Sequence, residues 1–103
     1  MWAQLITMRV KQGSEDLVPL LVEQLWATEQ LNSGLVRSTA MHDQQDPSRF
    51  RMMVVFENEA KARARENDPR REAGLEAVRA TMAKVFEGPP EYLALTVLGE
   101  MSP

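Results

Sequence analysis

The chain has 103 residues, a length that suits one domain spanning 1–103, and its 44% hydrophobic and 26% charged residues are typical of a globular protein. It contains no cysteine, which excludes disulfides, thiol nucleophiles and thiolate-bound metals. Its net charge is −3, and the acids interspersed in the basic stretch 61–71 indicate a solvated helical surface, which argues against a nucleic-acid partner. No apolar run approaches the roughly 20 residues of a membrane helix and no signal-peptide pattern is visible, so we expect a cytoplasmic protein with no membrane partner.

The first thirty residues predict a strand followed by a helix. Residues 2–10 are rich in β-forming side chains and predict the first strand. Ser14 is the predicted N-cap of the helix, because a serine hydroxyl can accept a hydrogen bond from the free N–H groups of a first turn. Leucines then recur at helical spacing and predict a helix to about residue 30: Leu17, Leu21 and Leu25.

The middle of the chain predicts an antiparallel hairpin. Residues 35–43 and 49–57 both have the composition of strands. The stretch 44–48 between them is polar and contains aspartate, proline and serine, which are typical of turns. Two strands joined by so short a connection pair antiparallel with each other.

The second half predicts two helices and a last strand. Asn58 is a candidate cap for a short helix to residue 66, and Asp68-Pro69 predicts a new helix to about residue 86. Gly88-Pro89-Pro90 is predicted to end that helix, and residues 92–98 predict the fourth strand. The resulting order, βαββαβ, predicts a ferredoxin-like α+β fold, a four-stranded antiparallel sheet with its helices on one face.

The third and fourth predicted strands are apolar on both faces. Helices can cover only one face of the sheet, and a solvated second face would show alternating apolar and polar residues. Residues 52–56 and 93–98 show no such alternation, and the tail after Gly99 is expected to be too short to cover the second face. Because an exposed apolar sheet promotes aggregation, we expect this face to be buried against a second copy in a homodimer.

Several stretches of the chain resemble the antibiotic-biosynthesis-monooxygenase family of the dimeric α/β-barrel superfamily. They are residues 3–13, Gly34-Leu35-Val36 at the start of the second strand, residues 54–60, and Asn67-Asp68-Pro69 before the last helix. The resemblance implies a ferredoxin-like protomer whose sheet pairs with that of its mate to close a barrel, with a pocket between sheet and helices. Some members of this family oxidise polycyclic phenols to quinones without metal or flavin, whereas others degrade haem or isomerise or dismutate small molecules.

The haem-degrading branch of the family does not fit this sequence. Those relatives carry an axial histidine in the last helix, a tryptophan in the helix before it and an asparagine on the first strand. Residues 62–78 contain neither histidine nor tryptophan, and residues 2–10 contain no asparagine. A single histidine and no cysteine also give little with which to build a metal site. We therefore expect no bound metal and no tightly held cofactor.

Three residues are candidates for catalysis, since oxygenation of a phenol without a cofactor needs a base, donors for an oxyanion and an apolar cavity. His42, the only histidine, is the candidate base, or else a partly exposed histidine at a strand end. Arg37 is the candidate anion holder, or else an edge-strand residue that opposes pairing between sheets. Tyr92 could donate a hydrogen bond to a substrate oxygen, or place its hydroxyl at the surface.

Two further residues are candidates for substrate binding. Trp26, late in the first helix, could form a wall for a flat ligand or pack in the core, and Arg51 presents the same alternatives as Arg37. Together with the resemblance, these residues lead to the hypothesis of a cofactor-independent monooxygenase that acts on a small phenol-like or quinol-like aromatic molecule. The alternative is a non-enzymatic dimeric barrel that binds a small apolar ligand.

Overall fold

The computed structural model describes residues 1–103 and has the predicted βαββαβ order, which confirms the fold class. Its elements are β1 (Trp2–Val10), α1 (Val18–Ala27), β2 (Leu35–His42), β3 (Arg49–Phe56), α2 (Glu59–Glu66), α3 (Glu72–Val85) and β4 (Phe86–Thr96). Short 3₁₀ turns, Glu15–Leu17 and Pro69–Arg71, lead into α1 and α3. The strands form one antiparallel sheet in the order β2-β3-β1-β4. None of the helices is both long enough and apolar enough to cross a membrane.

Two of the three predicted helix caps form as expected. The Asn58 side chain accepts a hydrogen bond from the Lys61 N–H at 2.9 Å, and the Asp68 side chain accepts one from the Arg70 N–H at 3.0 Å. Ser14 makes no cap bond. Its hydroxyl instead donates to the Lys84 carbonyl at 3.0 Å, so it joins the start of the first helical segment to the end of α3.

The fourth strand begins at Phe86, where the sequence had predicted the end of a helix and a strand only from Tyr92. The helix ends at Val85, as predicted, but the predicted start of the strand was wrong, because residues 88–90 form a bulge inside β4, opposite Met8 of β1. The two prolines are tolerated there because β4 is an edge strand and the bulge needs no ladder hydrogen bonds from them. Gly88 permits the bulge through its positive φ of 73°.

One face of the sheet packs against all three helices, and we call it the helix-covered face. Alternate residues of the two central strands point to this face and form the core with apolar residues of the helices. The buried members are Met8, Val10, Phe50, Met52, Val54, Phe56 and Phe86 from the strands, and Leu21, Ala62, Val78 and Val85 from the helices. This arrangement closes one hydrophobic core and leaves the other side of the sheet without a helical layer.

The opposite side of the sheet, which we call the open face, is largely apolar. The pairing registers place Ala3, Leu5, Met53, Val55, Leu93 and Leu95 side by side on this face, with Arg37 and Arg51 nearer its β2 side. Val54 and Val55 therefore belong to different faces, Val54 to the core and Val55 to the open face. Leu93 is 55% exposed, so this apolar surface is in contact with water in the single chain.

The C-terminal segment reaches across one end of the sheet. The Val97 N–H donates to the Met1 carbonyl at 3.1 Å, and the Glu100 carboxylate accepts a hydrogen bond from Arg37 on β2. Because β4 and β2 are the two opposite edges of the sheet, the segment after β4 spans its full width. The tail thus contacts one end of the open face, whereas Leu93 stays exposed, as expected for a tail too short to cover the whole face.

Candidate functional site

A pocket of about 470 Å³ lies between the helix-covered face of the sheet and the helices. Its apolar wall comes from β1, α1, the start of β2 and β3: Ile6, Leu25, Trp26, Leu35, Met52 and Val54. Its polar wall consists of four residues: Glu29, Ser38, Arg65 and Arg71. A mainly apolar lining with a few polar groups on one side is the usual composition of a site for a small organic molecule.

Trp26 forms one side of the pocket. It lies in the last turn of α1, is half exposed, and donates a hydrogen bond from its indole Nε1 to the Ser38 Oγ of β2 at 3.3 Å. This bond ties the end of α1 to the middle of the edge strand. The indole therefore lines the pocket with a flat, partly exposed surface, and its role as a wall for a ligand stays a prediction.

Arg71 is the buried cation of the pocket. It ends the 3₁₀ turn before α3 and is 8% exposed. Its Nη2 donates to the Thr28 Oγ1 and its Nη1 to the Arg65 carbonyl, both at 3.2 Å, while its Nε is buried without an acceptor. Arg71 belongs to none of the protein's ion pairs. Burial, and then the charge of Arg65, lower the pKa of Arg71 from its ordinary value.

Arg65 and Glu29 form an ion pair on the same wall. The Arg65 Nε and Nη2 both donate to the Glu29 Oε2, at 3.1 and 2.9 Å. Burial raises the pKa of Glu29, but hydrogen bonds from Ser33 and Arg65 outweigh it, so the pKa lies below its ordinary value. The carboxylate thus neutralises Arg65, and the wall keeps one uncompensated positive charge, that of Arg71.

His42, the predicted base, lies at the end of β2 beside a second pocket. This pocket has a volume of about 410 Å³ and lies between α1 and the strands β2 and β3. His42 is exposed and lines it together with Val22 and Phe50. Trp26 lines both pockets, so its indole lies between His42 and the pocket that contains Arg71.

Arg37 and Arg51 lie on the open face, away from both pockets. Arg37 contacts Glu100 of the C-terminal segment, and the Arg51 Nη1 lies 3.4 Å from the Asp43 Oδ2. Both guanidinium groups therefore already have a carboxylate partner. The structure does not bring either arginine together with Trp26, and the position of Arg37 on the edge strand agrees with the alternative stated for it.

Tyr92 lies on the other edge strand, β4, opposite Ile6 of β1. Its side chain therefore points to the helix-covered face, and the residue is 61% exposed. Ile6 lines the pocket that contains Arg71, but Tyr92 does not. Of the five residues predicted from the sequence, only Trp26 lies in that pocket.

Comparison with known proteins identifies the relatives of this fold. Residues 1–83 match the family model described as antibiotic biosynthesis monooxygenase. The chain belongs to this family. A search of curated proteins found no match.

Solved structures of the family's fold are similar along nearly the whole chain. The NE2512 protein of unknown function from Nitrosomonas europaea is 22% identical with a TM-score of 0.75, over 99% of this chain and 93% of that one. PA3566 from Pseudomonas aeruginosa is 15% identical with a TM-score of 0.72, over 95% and 94%. A mutant form of SnoaB, a cofactor-independent oxygenase from Streptomyces nogalater, is 13% identical with a TM-score of 0.71, over 99% and 97%.

The charged wall was not predicted, because the whole basic stretch 61–71 has the composition of a solvated helical surface. That interpretation is right for Arg63 and Arg70, which are exposed and paired with carboxylates. It is wrong for Arg71. The missed signal is spacing: Arg71 continues the apolar stripe of α3 toward its N-terminus, one helical turn before Leu75 and two before Val78.

Proposed function

We propose that this member of the family is a monooxygenase that oxidises a small phenol-like or quinol-like aromatic molecule without a bound cofactor. The observation that carries the proposal is the pocket of about 470 Å³, which combines the flat indole of Trp26 and an apolar wall with a buried positive charge. SnoaB, which shares the fold, is described as a cofactor-independent oxygenase, and this supports the same reaction class here.

The pocket suits the electronic demands of such a reaction. A phenol reacts with oxygen after it loses its proton and becomes an electron-rich anion, so the site needs a base for that proton and an apolar wall that excludes water. In the conversion of a phenol to a quinone, one oxygen atom of O₂ forms a new bond to a ring carbon and the other leaves as water. The two hydrogens of that water come from the phenol, so the substrate itself supplies the electrons and no external reductant is consumed.

Two residues predicted from the sequence have roles in this proposal. Trp26 contacts the aromatic ring, and the phenolic end of the ligand extends past the indole into the neighbouring pocket, where His42 accepts its proton. Arg37 and Arg51 contact no substrate in the proposal, because they point to the open face. Tyr92 contacts none either, because it lies outside the pocket lining.

Oxygen consumption tests the proposal directly. The full chain is mixed with a panel of naphthols, anthrones and hydroquinones, and an oxygen electrode records uptake while absorbance records the quinone. We expect uptake above the uncatalysed rate for at least one compound, with a loss of about tenfold or more in His42→Gln. Binding of these compounds without any catalysed uptake would refute the enzyme and favour the alternative, a dimeric barrel that binds a small apolar ligand.

We propose in addition that the protein is a homodimer joined through the open face. The apolar residues Leu5, Met53 and Leu93 lie together there, and no helix covers them. Burial of such a surface against a second copy contributes roughly 25 cal/mol for each Å² of apolar area, before the cost of association.

A further inference from the structure

Arg71 differs from the other arginines around it in having no counter-ion. Arg63, Arg65, Arg70 and Arg79 each lie within 3.3 Å of a carboxylate oxygen. Arg71 is the most buried of the group, and its hydrogen bonds go only to a hydroxyl and a backbone carbonyl. Its Nε has no acceptor at all.

A buried cation without a directly paired carboxylate opposes folding, because its lost hydration is only partly compensated. The two groups that accept hydrogen bonds from Arg71 also have other partners: Thr28 Oγ1 donates to the Leu25 carbonyl, and the Arg65 carbonyl accepts from the Asp68 N–H. The missing partner is therefore to be sought in the pocket that Arg71 lines.

We propose that Arg71 determines specificity by binding a carboxylate group attached to the aromatic ligand of this pocket. This inference rests on the proposed function only in placing the ligand in the pocket. Nη1 and Nη2 of Arg71 each make one hydrogen bond within the protein and keep a second N–H, and this pair of N–H groups matches the two oxygens of a carboxylate. Trp26 and the apolar wall then contact the ring.

Ionisation favours a carboxylate over the phenolic oxygen as the group that Arg71 holds. A carboxylic acid with a pKa near 4 arrives fully ionised at neutral pH, as a side-chain carboxyl does. A phenol with a pKa of about 10 is ionised only to about one part in a thousand at pH 7. A carboxylate is therefore already charged when the ligand first contacts Arg71, whereas a phenol is almost entirely neutral.

The neighbouring charges select a monoanion. Glu29 lines the same wall and would repel an anion, but both of its hydrogen bonds from Arg65 neutralise it. The three groups together carry one net positive charge, and the rest of the lining is mainly apolar. A single carboxylate neutralises this one positive charge, whereas a phosphate dianion would leave one negative charge of the ligand uncompensated in the pocket.

Calorimetric titration with two matched probes tests the inference. Naphthalene-2-carboxylate and naphthalene-2-carboxamide have nearly the same shape and differ in charge. We expect the unmodified protein to bind the carboxylate at least about tenfold more tightly, a difference of about 1.4 kcal/mol. Arg71→Met should bind the two probes equally, while Arg79→Met, which removes an equal charge from the surface of α3, should keep the preference.

Three results would overturn the inference: equal binding of the two probes by the unmodified protein, a preference that survives in Arg71→Met, or binding of neither probe. If Arg71→Met fails to fold, the Arg71 Nε–H resonance of the unmodified protein provides the readout by NMR. It should shift on addition of the carboxylate and not of the carboxamide, and an unmoved resonance would count against the inference. Both measurements are made without oxygen turnover, so absence of oxygenase activity refutes the proposed function and leaves the carboxylate site standing.

Discussion

The two faces of the sheet hold their arginines in opposite ways. On the open face, Arg37 and Arg51 are partly or largely exposed, and each contacts a carboxylate, Glu100 or Asp43. Under the helices, Arg71 is buried and has no carboxylate partner. A surface ion pair contributes little to stability and keeps a strand edge hydrated, whereas a buried unpaired cation reduces stability. Arg71, whose burial without a carboxylate reduces stability, is thus the arginine that we expect to bind a ligand.

The largest expected effect comes from a charge placed in the core under the helices. Val54 is 7% exposed on the helix-covered face, so Val54→Asp places a carboxylate among apolar side chains. We expect a loss of about 4 kcal/mol or more in the free energy of unfolding, which is a large part of the roughly 5–15 kcal/mol that stabilises a domain. Circular dichroism during thermal denaturation measures this. A folded variant with an unchanged melting temperature would show that this face is not the core.

A charge on the open face should change assembly and leave the fold intact. Leu93 is 55% exposed in the single chain, so Leu93→Asp introduces a carboxylate that water can hydrate in the monomer but not in the proposed dimer interface. We expect a folded monomer by light scattering where the unmodified protein gives a dimer. Leu98→Asp is the control, since Leu98 is 97% exposed in the tail. A soluble monomer of the unmodified protein would contradict the dimer proposal.

Replacing Arg71 or Arg37, one arginine from each face of the sheet, should change the free energy of unfolding in different directions. Arg71→Met removes an uncompensated buried charge and keeps the length of the side chain, so we expect the free energy of unfolding to be unchanged or to rise by about 1 kcal/mol. Arg37→Met breaks an exposed pair and should lower it by no more than about 1 kcal/mol. Urea denaturation of both variants gives the comparison. A loss of more than about 2 kcal/mol in Arg71→Met would mean that Arg71 stabilises the fold.

These contrasts mark what the sequence could predict. The order of the elements along the chain follows from hydrophobic patterning, which is a local property, and so does the prediction that β3 is apolar on both faces. The structure confirms both. The start of β4 could not be predicted, because pairing with β1 draws a Gly-Pro-Pro segment into a bulge. The burial of Arg71 has a local signal in its position on the apolar stripe of α3, but its hydrogen bond to the Thr28 hydroxyl joins residues distant in sequence and could not be predicted.

The smallest expected effect concerns the pH dependence contributed by Glu29. Its pKa in the folded protein lies below the ordinary value of 4.5, so Glu29 stabilises the fold fully above about pH 4.5 and progressively less as the pH falls through its folded pKa. Glu29→Gln cannot lose a charge there, so its stability should fall less steeply below pH 4.5 than that of the unmodified protein. Urea denaturation at a series of pH values measures both slopes.

High salt separates this effect from that of the exposed pairs. Arg65 and Glu29 are both partly shielded from solvent, with side-chain exposures of 19% and 26%, so their interaction should persist when salt screens surface charges. The difference in slope between Glu29→Gln and the unmodified protein is therefore expected to survive in roughly 0.5 M salt. Identical slopes in low salt would show that Glu29 gains nothing from Arg65. The positive charge of the pocket would then belong to both Arg65 and Arg71. The distinction between a paired Arg65 and an unpaired Arg71 would be wrong.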